Sequence, residues 1–290
     1  MTETTGIRSR TVTANGLRMH VTEAGAGEPV LLLHGFPQSS REWAPVMTAL
    51  AGRAHLIAPD LRGAGQTDAP SSGYDSATVG RDIIALLDEL GLDRVNVVGH
   101  DWGALVGVDL CLAHPERIRR YVAVAVPAPY FRMTPTLVAG MVKALPHLWF
   151  QWVIATPVLG PWLLSYGRQR LAHWLLRGFE TRPMDEADVA SYVGALRDPA
   201  RASAASKLYR GLILPAFMSI IRGSYRGRVL HTPTLVLFGA DDALLPKEAM
   251  EMRPEDAPHT TVEFVPGGAH FLVDDNPEEV ARRVAEFVLT

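Results

Sequence analysis

Three groups in this sequence stand where they could do chemistry: an aspartate inside a glycine-bounded turn, a histidine in a glycine-rich segment near the C-terminus, and an aspartate pair between them. The first is Asp101, in Val95-Asn96-Val97-Val98-Gly99-His100-Asp101-Trp102-Gly103. A β-branched run stops at a glycine, a polar triplet and a second glycine follow, and Ala104 to Ala113 has helical composition. This predicts a strand, a tight turn and a helix with Asp101 at the apex, where nearby Cβ atoms would clash. Such a turn often carries serine, which needs a base and suits acyl transfer. A carboxylate is already ionised at neutral pH and can displace a leaving group at a tetrahedral carbon, giving a covalent ester. Its bland alternative is a helix N-cap. Hydrolysis of the ester needs an activated water; His270, in Gly267-Gly268-Ala269-His270, is the candidate base, although His34, His100 and His259 show that histidine is not scarce. A carboxylate behind it would fix the tautomer and stabilise the imidazolium, and Asp241 and Asp242 are both available.

Positioning these groups requires a sheet. Arg10 to Thr13 and Leu17 to Thr22, joined at Asn15-Gly16, read as a hairpin. Pro29 to Leu33 is continuously apolar, as in a strand buried on both faces. Ser39 or Ser40 could cap a helix to about Ala51, and Ala54 to Ala58 is the next strand. The loop Asp60 to Asp68 is glycine-rich but lacks the GxxxxGK[ST] pattern of a phosphate cradle. Ser76 is the expected cap of a helix to Leu90, ended by Gly91, and Ile118 to Val126 is another strand. This alternation predicts an α/β fold with a mostly parallel sheet flanked by helices. It breaks at Pro127-Ala128-Pro129 and resumes as strand at Pro233 to Gly239, then a helix near Lys247 to Met252, a strand at Thr261 to Val265 and a helix from Pro277 to Leu289. Residues 1–127 and 229–290 are therefore read as the core domain and 128–228 as an inserted all-helical cap.

The 290 residues, 48% hydrophobic and 20% charged, suffice for one large core domain with an insertion. A formal net charge of −3 gives no broad basic field, so neither nucleic acid nor a membrane surface is an expected partner. The lone Cys111 forms no internal disulfide and reads as a buried, inert thiol; Met1 to Gly16 has no apolar leader core, so the expected location is cytoplasmic. The uncharged run Ala144 to Gly167 is broken by Pro146, Pro157 and Pro161, which argues against a membrane span. No metal or cofactor is expected, and a monomer or homodimer is.

With the motifs in order, the sequence resembles the α/β-hydrolases, and Gly-His-Asp-Trp-Gly with His34-Gly35-Phe36-Pro37 is similar to the epoxide hydrolase branch, close to the haloalkane dehalogenases. The resemblance covers nearly the whole chain. It implies Asp101 as nucleophile, His270 as base, and Asp242, three residues past Gly239, as the acid, with Asp241 as the alternative. It also implies an oxyanion site made by the backbone amides of Phe36 and Trp102. His34 is expected to hydrogen-bond within its loop.

Opening an epoxide leaves an alkoxide, which calls for a donor of high pKa such as tyrosine. Epoxide hydrolases use two cap tyrosines; Leu208-Tyr209-Arg210 resembles the second, with Tyr209 as donor. The first falls at Phe150 of Trp149-Phe150-Gln151-Trp152, which cannot donate. Tyr130, Tyr166, Tyr192, His147 and the Trp149 indole are the candidate substitutes. Trp149, Phe150 and Gln151 are assigned to the substrate pocket, and the cap aromatics Trp152, Trp162, Trp174 and Phe179 suggest a small apolar ligand. The expectation is hydrolysis of an apolar epoxide to a vicinal diol through an aspartyl ester. The alternatives are a haloalkane or fluoroacetate-type dehalogenase using the same aspartate, with the Trp102 indole as halide donor, and a ligand-binding member of the fold without catalysis. The dehalogenases commonly place asparagine where Phe36 stands.

Overall fold

The computed structural model describes residues 6–290; the polar opening from Met1 to Thr5, part of the stretch read for a leader and of the expected core domain, lies outside the described residues. The Asn15-Gly16 turn joins β1 (Arg8–Ala14) to β2 (Leu17–Ala24), with Asn15 and Gly16 both at positive φ as the turn requires. Then come β3 (Pro29–Leu33), β4 (His55–Pro59), β5 (Val95–His100), β6 (Ile118–Val124), β7 (Thr234–Gly239) and β8 (Thr260–Val265). Their order across the sheet is β1-β2-β4-β3-β5-β6-β7-β8. The two N-terminal strands pair antiparallel and the pairs from β4 to β8 are parallel.

Side chains alternate between two buried layers. Leu31 and Leu33 of β3 join the layer beneath α2 (Ser76–Glu89) and α3 (Trp102–Ala113). Val30 and Leu32 join the layer beneath α1 (Ala44–Leu50) and the helix Pro277–Val288. Burial on both faces is why these strands read as unbroken apolar runs rather than alternating ones.

Two expected helix ends shift. Ser39 caps a short 3-10 turn, Ser40–Trp43, that leads into α1. Helix α2 is capped by Asp75, not Ser76: Asp75 has extended backbone and its carboxylate accepts the Thr78 N–H at 2.9 Å. Ser76 is already helical, and its hydroxyl turns to Asp109. Asp75→Ala should therefore cost about 1 kcal/mol in a urea unfolding titration, whereas Ser76→Ala leaves the cap intact. The helix expected at Lys247 to Met252 is one 3-10 turn, Lys247–Met250.

Between β6 and β7 the chain forms α4 (Pro135–Ala144), α5 (Trp149–Ala155), α6 (Leu159–Ser165), α7 (Arg170–Gly178), α8 (Glu186–Ala195), α9 (Pro199–Leu208) and α10 (Leu214–Arg222). Prolines start or end these pieces: Pro146 lies in the 3-10 turn before α5, Pro157 follows α5, and Pro161 is in the first turns of α6. Between α9 and α10 lies one π-turn, Tyr209–Ile213, in which the Leu214 N–H reaches back to the Tyr209 carbonyl. Pro215, with no N–H of its own, follows directly. After β8 come α11 (Leu272–Asp275) and α12, the helix Pro277–Val288. No single helix among the described residues is long and apolar enough to cross a membrane; only the bent pair Pro135–His147 and Trp149–Ala155, meeting at 55°, has the length and hydropathy.

Candidate active site

Asp101 stands between β5 and α3 with φ 47° and ψ −110°, a conformation costly for a residue with a Cβ. The flanking glycines make the turn possible. A Cβ on Gly99 would lie 2.4 Å from the Gly103 carbonyl oxygen, and one on Gly103 would lie 2.1 Å from that of Leu33. The Asp101 carboxylate caps nothing in α3. It accepts the Phe36 N–H at 3.0 Å instead. The Trp102 amide is the first of the helix and has no intrahelical acceptor.

His270 follows β8 and Asp242 follows β7, so two parallel neighbours deliver both at their C-terminal ends. His270 Nδ1 lies 3.2 Å from Asp242 Oδ2, and its Nε2 lies 3.5 Å from Asp101 Oδ1. Asp241 makes no contact with the imidazole among the described hydrogen bonds; Asp242 also holds the Leu244 N–H at 2.7 Å, which fixes its loop. Burial alone would lower the His270 pKa, but the Asp242 charge and the hydrogen bonds to Asp101 and Asp242 outweigh it and push it up to about 10. Burial works the other way on Asp101, where the hydrogen bond and charge of His270, the charge of His100 and the Phe36 amide together keep it below the usual carboxylate range.

Behind these groups lies a feature that the sequence reading missed. Glu42, wholly buried, accepts the Gly35 N–H at 3.3 Å and lies 3.1 Å from His100 Nδ1; His100 Nε2 lies 2.9 Å from the His270 carbonyl. Both ring nitrogens of His100 face acceptors, so the ring is the cation of a buried ion pair. Burial opposes that charge, and Glu42 outweighs the burial and raises the His100 pKa. The pair ties together the loop of Phe36, the residue before Asp101 and the loop of His270. His34 does what was expected of it, with Nδ1 at 2.8 Å from the Gly35 carbonyl and Nε2 accepting the Leu61 N–H at 2.9 Å.

A cavity of about 140 Å³ opens on Asp101 and His270. Phe36 and Trp102, stacked at 4.7 Å, form one wall, and Tyr209 meets both edge-on at 5.5 and 5.1 Å. Tyr209 stands at the start of the π-turn, and the next residue, Arg210, binds the Ala155 carbonyl and the Ser206 hydroxyl at 2.7 Å each. That clamp fixes α5 against α9, so Phe150 and Tyr209 face each other with ring centres 6.4 Å apart. Burial, reinforced by the Asp101 charge, holds the Tyr209 hydroxyl well above the ordinary tyrosine pKa. Phe150 and Gln151 line the cavity, and α10 adds Ala216, Phe217 and Ile220, for which no sequence motif gave a signal.

Trp149, expected in the pocket, does not line it. One residue before Phe150 on α5, it points about 100° away, is 45% exposed and packs on Trp174 at 5.2 Å. Trp152, Trp162 and Trp174 are likewise turned outward, and of the aromatics taken as signs of an apolar ligand only Phe150 and Phe179 reach the cavity. None of the candidate substitutes for the absent tyrosine lines it either: Tyr130 and Tyr192 are buried elsewhere, Tyr166 is exposed, and His147 lies at a separate surface cleft.

A family described as alpha/beta hydrolase fold matches residues 28–277, spanning the elbow, the Phe36 loop and both residues that meet at His270. The chain belongs to this α/β-hydrolase family. Among its relatives, epoxide hydrolase 2 of Siraitia grosvenorii is 43% identical over 123 residues, which cover 41% of this chain and 39% of that protein. The chain thus matches about two fifths of the length of its first curated relatives. Epoxide hydrolase A of Mycobacterium tuberculosis is 28% identical, with 96% of each chain covered. The solved structure of the epoxide hydrolase CorEH superposes with a TM-score of 0.80 at 27% identity, covering 97% of this chain and 98% of that one. The resemblance of this α/β-hydrolase to the epoxide hydrolase branch is borne out by these relatives.

Proposed function

We propose that this α/β-hydrolase is a cofactor-independent epoxide hydrolase acting on a small apolar epoxide, with residues 128–228 serving as a cap over the core of 1–127 and 229–290. One observation carries the reading: Asp101 at the elbow, His270 and a single tyrosine, Tyr209, all line one cavity whose other lining residues are apolar except for Gln151. An Asp101 oxygen attacks an epoxide carbon as the ring C–O bond breaks, and the Tyr209 O–H gives its proton to the departing oxygen. The new ester removes the Asp101 charge, so His270 loses one of its two anionic partners and its proton affinity falls. The proton it releases restores Tyr209 and leaves a neutral base. His270 then takes a proton from water as the water oxygen attacks the ester carbonyl, with Asp242 stabilising the imidazolium. The amides of Phe36 and Trp102 hold the developing oxyanion. Cleavage of the bond between the acyl carbon and the ester oxygen, with the water's remaining proton passing to the departing oxygen, releases the diol and returns Asp101 as a carboxylate and His270 as the imidazolium.

A single turnover in heavy-oxygen water tests the scheme. The label is expected in Asp101, with the first diol carrying none; label in that first diol would contradict an ester intermediate. Halide released from an alkyl halide, read with an ion-selective electrode, would instead favour the dehalogenase alternative.

A further inference from the structure

Eleven of the thirteen large apolar side chains exposed among the described residues fall between Met133 and Trp174. They are not scattered. On α4 and the turn after it, Val138, Val142 and Leu145 follow one helical face; on α5, Trp149 and Trp152 are three apart; on α6, Leu159, Trp162 and Tyr166 share one face. Three successive helices thus turn an apolar stripe outward, the reverse of the usual amphipathic arrangement. Between α5 and α6, Val158 is 82% exposed. Single exposed apolar residues are ordinary on a protein surface, but a concentration of this kind is not.

Charge says what covers this face. No aspartate or glutamate occurs between Glu116 and Glu180, while Arg132, Arg168 and Arg170 are exposed and form no salt bridge among the described residues; Lys143 instead shares a surface cleft with Glu248. The net charge of −3 for the whole chain averages this segment against acidic surface elsewhere. A symmetric pairing of two copies through this face would set these cations against their own kind. Tryptophan and tyrosine with unopposed cations suit the headgroup region of a bilayer, where amphipathic rings settle and basic side chains meet phosphate.

We propose that the outward face of α4, α5 and α6 docks the protein on an anionic phospholipid surface. The geometry gives the contact a use. Met141, Leu148 and Gln151, on the same α4–α5 stretch, line the cavity that holds Asp101, so one layer of helix separates the cavity from the docked face. An apolar ligand dissolved in the bilayer would cross only that layer.

Flotation of the full chain with vesicles of phosphatidylcholine, with and without phosphatidylglycerol, tests the proposal without reference to any substrate. Binding is expected on the anionic vesicles, weaker on pure phosphatidylcholine and weakened again by salt, with a blue shift in tryptophan emission. The double variant W152A/W162A, which replaces no residue lining the cavity, should lower the bound-to-free ratio about tenfold while its melting temperature stays near that of the parent. A separate variant, R168E/R170E, should reduce binding to anionic vesicles while leaving binding to neutral ones unchanged. No binding to either vesicle would overturn the proposal, as would binding indifferent to both variants. Concentration-dependent dimers in sedimentation that are abolished by W152A/W162A would overturn it in favour of a second copy as the occupant.

Discussion

Replacing His270 with glutamine is expected to give a protein that reacts once with an epoxide and then stops. The first half-reaction asks nothing of the imidazole as a base: Asp101 is anionic, and Tyr209 serves the leaving oxygen. The second half asks everything of it, because water must lose a proton as it attacks the ester, and glutamine cannot accept one. With styrene oxide as probe, the intact protein should gain the mass of one substrate, and peptide mapping should place it on Asp101. Steady turnover should fall by roughly a thousandfold or more, within the usual contribution of a positioned acid or base, because no other imidazole or free carboxylate lines the cavity among the described residues. The neutral side chain also removes the imidazolium that holds Asp101 below the usual carboxylate range, so adduct formation should slow at mildly acidic pH relative to the parent. A protein that stays at its unmodified mass while substrate is present would count against the two-step scheme.

The second large effect concerns the oxygen released when the ring opens. Tyr209 is the one hydroxyl-bearing residue that lines the cavity among the described residues, and Phe150 faces it across 6.4 Å. Tyr209→Phe should therefore slow ester formation by roughly a hundredfold or more, leaving the alkoxide with no donor matched to it. Because a trapped ester is needed to read that step alone, the measurement belongs in the His270→Gln background, as the rate of mass gain. Phe150→Tyr is the complementary change. It adds one oxygen to a ring already packed on Phe179 and Trp174, and should raise the same rate several-fold if the new hydroxyl reaches the cavity. If Tyr209→Phe alkylates at the parental rate, the tyrosine is only a wall.

How much of this was legible beforehand follows from the range of the interactions. The elbow could be read because its cause is local: two glycines four residues apart leave room that no other residue would. The parallel sheet could be read because burial on both faces writes itself as apolar runs. The cap was harder. A run such as Trp149-Phe150-Gln151-Trp152 is aromatic throughout, and composition cannot say which ring faces the cavity; the answer depends on how α5 rotates against α9, which Arg210 fixes from 55 residues away. Ser76 is a good cap by residue type, but so is its neighbour Asp75, and only the backbone angles decide between them. The Glu42–His100 pair was out of reach for a similar reason. Its members are 58 residues apart, and neither stands in a pattern that announces the other.

The π-turn at Tyr209–Ile213 gives the cavity an unusual kind of adjustability. A π-turn is a helix carrying one residue more than its α-helical phase requires, so everything beyond it is rotated by about 100° relative to an unbroken helix. Ala216, Phe217 and Ile220 reach the cavity in that rotated phase. A deletion of one codon in this turn would restore the regular phase and present a different set of side chains to the ligand, with no substitution at all. Insertions and deletions, which surface loops absorb silently, would act here as a change of specificity.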